Sequence, residues 1–212
     1  MSIALSIGNN LTTGGVFTSS AVNNTSVSNI TDFVSVSGGG ALSLLSTQTA
    51  SSSSSIDFTS GLNSTYDSYI FKFINLHPSN DDMTMRFQGS TNGGSSYGIN
   101  ITSTYFVIRN NGITYFANRD NAQSTNTQTI NMDLGNDNED AVCGYMQLFG
   151  VADTTKVKHF VISGIDNSYS SNQSQHSYVG GYFNTTSAID AIQFAFSTGT
   201  IDSGQIKLYG VS

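Results

Sequence analysis

Short apolar segments separated by turn residues, without any stretch of helical period, constrain the fold of this chain more than any other feature. Met83, Met85 and Phe87 alternate with polar residues, which places their side chains on one face of a strand. Asn-Gly-Gly at residues 92–94 and Asn-Asn-Gly at residues 110–112 supply the positive φ angles that hairpin turns require. Only residues 186–191 fit a single helical turn. The pattern therefore predicts an all-β protein.

About ten short strands follow one another along the chain. Residues 66–76 (YDSYIFKFINL) are apolar on both faces apart from Lys72, which indicates a central strand. Residues 95–108 are expected to form one strand, and the last two strands are expected to turn at Ser203 and Gly204. Strands without intervening helices pair antiparallel, so we expect a two-sheet sandwich of jelly-roll type, with a closed barrel as the second alternative.

The composition changes near residue 40. Residues 1–40 are mostly Ser, Thr, Asn and Gly with single aliphatic residues, and the first basic residue of the chain is Lys72. Such a segment carries too little apolar surface to offset its own ordering entropy. The predicted organisation is an extended arm over residues 1–40, which orders on a partner or a neighbouring subunit, and a β-sandwich domain over residues 41–212. A tail without fixed structure is the alternative for the arm.

Charge and cysteine content exclude several classes of protein. Seven Lys and Arg residues against 14 Asp and Glu give a net charge of −7, and this argues against nucleic-acid binding, which needs basic residues to displace counterions. No apolar run is long enough to span a bilayer. Cys143 is the only cysteine, so neither an intramolecular disulfide nor a multi-cysteine metal site is possible. Its apolar neighbours predict a small buried side chain.

No group of residues has the spacing of a catalytic or cofactor site, and we expect the protein not to be an enzyme. His77, His159 and His176 do not sit at metal-ligand spacing, and no nucleophile elbow or phosphate-binding loop occurs. The acidic stretch Asp137, Asn138, Glu139, Asp140 is predicted to be a solvated turn, with calcium binding as the alternative. We therefore assign no catalytic residue, no cofactor and no metal.

Tyrosine is frequent for a chain with so few charges. Ten tyrosines among Ser, Asn and Gly suit either core packing with the hydroxyl at the rim, or adaptable interfaces and sugar contacts. Residues 167–177 (NSYSSNQSQHS) are polar and uncharged and are predicted to form a loop. If the protein binds glycans, Tyr169, His176 and Tyr178 are expected at an exposed distal tip.

Three stretches resemble structural proteins of tailed phages that infect marine bacteria, the cyanophages and their relatives. They are residues 44–82, with the segment YDSYIFKFINLHP, residues 87–97 (FQGSTNGGSSY), and residues 180–211, with AIQFAFSTGTIDSGQIKLYG. The resemblance begins near Leu44 and runs to the end of the chain. Its motifs are turns and alternating strands, so it implies a fold and virion membership and carries over no catalytic residue.

This resemblance implies a non-enzymatic virion structural protein that decorates or cements the capsid, or forms a head fibre or knob. The expected partners are copies of the same chain, with a homotrimer favoured, and the major capsid protein or other virion proteins. We expect no nucleic-acid or membrane partner, and assembly into the virion in the host cytoplasm. The alternative is a tail-fibre or receptor-binding module that recognises host surface glycans.

Overall fold

The computed structural model describes residues 42–109, 114–120, 127–170 and 172–212, with only the backbone course given for 114–120. The predicted arm at residues 1–40 and the predicted turn at 110–112 lie outside these residues. All described residues belong to one compact unit, which begins at Gly40. They form twelve strands and no helix: β1 (Ser43–Thr49), β2 (Ile56–Phe58), β3 (Ser68–Pro78), β4 (Met83–Ser90), β5 (Ile101–Arg109), β6 (Thr114–Asp120), β7 (Gln128–Leu134), β8 (Val142–Phe149), β9 (Lys158–Ser168), β10 (Gln173–Phe183), β11 (Ala191–Phe196) and β12 (Ile201–Val211).

Every strand pairing is antiparallel, and together the strands make a nearly closed, barrel-like sheet. The long ladders join eight strands in the order β1-β12-β3-β8-β9-β10-β5-β6. A second run of four strands has the order β7-β4-β11-β2. The two runs are joined by a single residue pair, Leu134 on β7 with Ser168 on β9. The prediction of an all-β antiparallel fold is confirmed.

Phenylalanine side chains from both runs of strands meet in the core. The ring of Phe194 on β11 lies 5.3 Å from that of Phe71 on β3, and the ring of Phe87 on β4 lies 5.1 Å from that of Phe160 on β9. Both contacts are edge-to-face, the geometry in which an aromatic pair contributes about 0.5–1.5 kcal/mol beyond area burial. The alternation that predicted β4 is also observed, because Met83, Met85 and Phe87 are all buried. These contacts hold the second run of strands against the first.

Several predicted turns and loops are wrong in position. Residues 186–191 contain no helical turn. Ser203 and Gly204 lie within β12, and the chain turns instead at residues 197–200, where Gly199 has a φ of +70°. The turn at 92–94 does have positive φ at both glycines, but it joins no hairpin, because β4 pairs with β7 and β11 while β5 pairs with β10 and β6. Strand β5 begins at Ile101 rather than at residue 95.

Two further predictions concern longer strands. β3 pairs with both β12 and β8, so the prediction of a central strand over residues 66–76 is confirmed. The predicted loop over residues 167–177 is mostly strand, because β9 continues to Ser168 and β10 begins at Gln173. The polar composition was misleading here. Gln175 and Ser177, together with Asp166 just before the predicted loop, face inward, and their polar groups form hydrogen bonds inside the protein.

Candidate interaction surface

One face of the eight-stranded run is turned away from the core and carries an ordered row of side chains, which we call the outer row. Strand register places Thr47, Lys207, Lys72, Tyr145, Ser163, Tyr178 and Phe106 opposite one another in that order. Residues opposite each other in an antiparallel sheet point to the same face. The row therefore brings together residues that are far apart in the sequence.

Aliphatic side chains flank the outer row and remain exposed. Val161 and Ile165 on β9 are 42% and 47% exposed, Ile108 on β5 is 43% exposed, and Tyr145 on β8 is 44% exposed. Clustered exposed apolar residues on one face are typical of interaction surfaces, whereas isolated ones need no explanation. This face is the candidate functional site of the chain.

An aromatic cluster lies across β5 and β10 in the same face. The ring of Tyr178 stacks on Phe106 with centroids 4.9 Å apart and on His176 with centroids 4.1 Å apart. His176 is held at both ring nitrogens, by Ser163 Oγ at 2.7 Å and by the Tyr178 hydroxyl at 3.0 Å. Burial lowers the pKa of His176, because a desolvated site disfavours the charged imidazolium. The cluster is an aromatic, hydrogen-bonded part of the face.

The three residues expected at a glycan-binding tip are not brought together as a tip. Tyr169 is exposed in the turn between β9 and β10. His176 and Tyr178 lie within β10, where they stack on each other in the sheet face. The expectation of a distal tip is wrong because the predicted loop is two paired strands.

A buried polar cluster lies on the inner side, where β7, β9, β10 and β5 come together. Asp166 accepts hydrogen bonds from Asn131 Nδ2 at 2.6 Å and from Gln175 Nε2 at 2.7 Å. Burial raises the pKa of Asp166 to about 8, although both hydrogen bonds act in the opposite direction. Asn131 Oδ1 has no hydrogen-bond partner among the described residues. Asp166 therefore carries its proton at neutral pH.

Asp133 organises the outer end of this buried cluster. Its carboxylate forms an ion pair with Arg109, with Nη2 and Oδ2 3.0 Å apart. The same Oδ2 accepts hydrogen bonds from the hydroxyls of Ser168 at 2.5 Å and Ser170 at 2.6 Å. Asp133 has a φ of +60°, a conformation that Asp adopts more readily than most residues. These contacts tie the end of β9 and the turn that follows it to β7 and β5.

The acidic stretch from Asp137 to Asp140 is a turn with one buried member. Asp137, Asn138 and Glu139 are exposed, while Asp140 is buried and accepts a hydrogen bond from Asn167 Nδ2 at 2.9 Å. The backbone N–H of Asp140 donates to the carbonyl of Asp137 at 2.9 Å. Within the described ranges, no three His, Cys, Asp or Glu side chains are arranged to hold a metal ion.

The three histidines have separate surroundings. His77, near the end of β3, contacts the carbonyl oxygen of Asp137 through Nε2 at 3.1 Å. His159 is exposed on β9, where its ring lies 5.6 Å from that of Tyr182. His176 belongs to the aromatic cluster described above. The described part of the chain therefore shows no convergence of the three imidazoles.

Cys143 is half-buried, and the prediction of a small buried side chain is wrong. Its Sγ accepts a hydrogen bond from Asn75 N at 3.3 Å and donates to Asn75 Oδ1 at 3.1 Å. Asn75 sits at an irregularity in the pairing of β3 with β8 and has a φ of +49°. Three shallow surface depressions meet at this cysteine, next to the irregularity in the pairing of β3 with β8.

Sequence reasoning missed two features of the molecule. The first is the pairing of Lys72 with Lys207, which no local pattern indicates because it depends on which strands become neighbours. The second is the burial of Asp166, for which a signal existed. Strict alternation along β9 places Asp166 on the same face as the buried Phe160 and Ile162.

No protein-family model matches this chain, and no curated protein matches its sequence. In the part of the chain that the structure describes, no helix has the length and hydrophobicity needed to cross a membrane. The resemblance to phage structural proteins therefore stays a prediction.

Proposed function

We propose that this chain is a non-enzymatic structural protein of a virion, which decorates or cements the capsid or forms a head fibre or knob. The observation that carries the proposal is the exposed apolar face around Val161, Ile165 and Ile108, which is suited to burial against another chain. The resemblance of residues 44–211 to phage structural proteins supplies the virion as the setting. In a symmetric homotrimer, each copy would cover this face of a neighbouring copy.

The strand arrangement supports a two-sheet sandwich of jelly-roll type as the finer description of the fold. The eight-stranded run and the four-stranded run would be its two sheets. Edge-to-face contacts of Phe58 with Phe71 and of Phe87 with Phe160 lie between the two runs. A two-sheet sandwich buries one face of each sheet and leaves the outer faces for neighbours, as a capsid-decorating protein requires.

The proposed partners are further copies of this chain and the major capsid protein or another virion protein. Residues 1–40 would make the contact with the capsid or with the neighbouring subunit. Ser, Thr and Asn side chains suit this role because they form many uncharged hydrogen bonds with an extended backbone. The proposed location is the virion, after assembly in the host cytoplasm, and no nucleic-acid or membrane partner is proposed.

Removal of the arm tests this function directly. A chain that begins at residue 41 is expected to fold, as judged by circular dichroism and a cooperative urea transition, and to lose at least tenfold in capsid affinity, about 1.4 kcal/mol. The measurement is co-sedimentation with purified capsids, with the full chain as control. Undiminished binding of the truncated chain would exclude the arm as the attachment element, and failure of the full chain to bind would contradict capsid decoration.

A second candidate function is recognition of host surface glycans by a tail-fibre or receptor-binding module. The observation that favours it is the exposed ring of Tyr145 in a row with Ser163 and two lysines. Tyrosine presents a flat apolar face and a polar hydroxyl, and both match the surface of a sugar ring. Cryo-electron microscopy of the intact virion separates the two functions, because a position at a fibre tip favours glycan recognition and a position on the capsid lattice favours decoration.

A further inference from the structure

Two lysines face each other across the strand pair β3–β12. Lys72 and Lys207 are directly opposite in the register, and both belong to the outer row. Like charges at opposed positions destabilise a pair of strands. The whole chain has only seven basic residues, and two of them share this arrangement, in which a bound anion would offset the repulsion.

No carboxylate in the neighbouring strands compensates these lysines. β3 and β8 contain neither Asp nor Glu. Asp166 on β9 is buried on the inner side, and Asp202 at the start of β12 accepts a hydrogen bond from Ser52 Oγ at 2.9 Å. Among the described residues the one ion pair is that of Arg109 with Asp133. The lysine pair is therefore a local positive site on a protein of net charge −7.

A shallow groove runs beside Lys72, and Lys207 lies opposite Lys72 on the next strand. The groove is lined by Ile70, Lys72, Ile74, Cys143, Tyr145 and Gln147. Tyr145 lies directly opposite Lys72 and exposes nearly half of its side chain. The bulge at Asn75 bends β3 at one end of the groove. A cation, an exposed aromatic ring and an amide are thus presented together to solvent.

We propose that this groove binds an acidic polysaccharide, a sugar chain whose units carry carboxylates. The ammonium groups of Lys72 and Lys207 hold the carboxylates through charge-assisted hydrogen bonds, and the ring of Tyr145 packs against the apolar face of a sugar unit. The inference rests on glycan recognition, the second candidate function. Nucleic-acid binding requires a longer basic tract than two lysines, whereas one pair of ammonium groups beside an aromatic ring matches a single carboxylate-bearing sugar unit and its neighbour.

The outer row gives the ligand a path longer than one sugar unit. From Thr47 to Tyr145 the row crosses four strands, which at about 4.8 Å per strand spacing is about 14 Å. Along this path Thr47 and Tyr145 lie on either side of the two lysines. The exposed aliphatic residues proposed to contact other virion chains lie on β9 and β5, so the lysine end on β12, β3 and β8 stays accessible.

The test uses the full chain and alginate, a purified polyuronate, as the probe. We expect the protein to be retarded in affinity electrophoresis by alginate and not by dextran, a neutral polysaccharide. The variant K72Q/K207Q is expected to bind alginate at least roughly tenfold more weakly, because each charged hydrogen bond contributes more than a neutral one. Y145A is expected to weaken binding as well. K156Q is the matched control, since Lys156 is an exposed lysine in the turn before β9.

The folded state of the variants is checked by urea unfolding, where K72Q/K207Q should be at least as stable as the wild type because the repulsion is removed. Equal retardation of the wild type and K72Q/K207Q, no retardation by alginate, or equal retardation by dextran would each overturn the proposal. Tighter binding of a single-stranded oligonucleotide than of alginate would overturn it as well. Capsid co-sedimentation is a separate readout, so failure of the glycan site and failure of capsid decoration are distinguishable.

Discussion

Two adjacent glycines on β10 occupy opposite environments. A Cβ atom on Gly181 would lie 2.5 Å from the carbonyl oxygen of Thr102 and 2.8 Å from Phe160 Cζ, whereas a Cβ atom on Gly180 would meet only Thr104 Oγ1, at 3.9 Å. The difference follows from the two-residue period of a strand, which turns neighbouring residues to opposite faces. Gly181 faces the packed interior and Gly180 faces outward. Close approach of backbone and core ring, rather than an unusual φ angle, explains the need for glycine at 181.

We therefore expect Gly181→Ala to lower the free energy of unfolding by about 1–3 kcal/mol, the usual cost of overpacking a filled core. Gly180→Ala is the matched control and is expected to leave stability unchanged or to raise it slightly, because alanine reduces the entropy of the unfolded chain. Urea unfolding of the two variants beside the wild type measures both effects. Equal stability of the two variants would contradict the inward and outward assignment of these residues.

At the scale of elements, β9 connects the core with the polar cluster. Its inward residues pass from Phe160 and Ile162 to Asp166 and Ser168, all buried. A carboxyl in this position is tolerated because it is protonated and hydrogen-bonded. A protonated Asp166 needs an acceptor for its own O–H. Turning the amide group of Asn131 over would place Oδ1 at the 2.6 Å contact now made by Nδ2, and Oδ1 would then accept this hydrogen bond.

The raised pKa of Asp166 makes stability depend on pH. The folded protein holds this proton up to about pH 8, whereas the unfolded chain releases it near pH 4. Between these values the folded state binds more protons, so stability falls as pH rises, by up to about 1.4 kcal/mol per pH unit from this group. Asp166→Asn cannot titrate, and we expect its stability relative to the wild type to increase steadily from pH 5 to pH 8.

Urea unfolding at several pH values measures this difference. Asp202→Asn is the control, because it removes an exposed carboxylate at the start of β12, and its curve is expected to run parallel to that of the wild type. If the curve of Asp166→Asn also runs parallel to the wild type, Asp166 does not carry the proton that the geometry assigns to it.

Most individual strands could be predicted from the sequence, and their pairing could not. Alternation of Met83, Met85 and Phe87 is a local property, because side chains two residues apart share a face whatever the fold. Which strands become neighbours in the sheet depends on contacts between residues far apart in the sequence, as in the pairing of Lys72 with Lys207. Turns were predicted less well where composition alone was used. The polar residues of 167–177 indicate a loop, yet Gln175 and Ser177 are buried in β10 because hydrogen bonds inside the molecule replace water.

At the scale of the whole molecule, the outer face of the eight-stranded run is the surface through which we propose that copies associate. Its aliphatic part lies on β9 and β5, and its positive part on β12 and β3. The resemblance to phage structural proteins implied assembly with copies of the same chain. It did not predict which face is exposed. Along β9 the outward residues Val161 and Ile165 are as apolar as the inward residues, so the sequence does not show which set is buried.

Oligomerisation through this face is tested by the variant V161K/I165K. We expect the wild type to form an oligomer, with a trimer favoured, and the variant to dissociate with a loss of about 2 kcal/mol or more per interface, since lysine is costly to bury in a packed apolar contact. Light scattering coupled to size-exclusion chromatography gives the masses. T154K adds a positive charge in an exposed turn and serves as control. A wild-type monomer, or a variant of unchanged mass, would contradict the assignment.

The single residue pair between β7 and β9 has a mechanical consequence. Long ladders distribute load over many backbone hydrogen bonds, but in the described residues the ladders of the two runs share one pair, Leu134 with Ser168, beside a backbone hydrogen bond from Tyr169 to Asp133 at 2.6 Å. Most of the closure is left to side chains, above all to Asp133, which holds Ser168, Ser170 and Arg109. We expect this junction to open more readily than the long ladders, which would admit water to the polar interior without unfolding of the molecule.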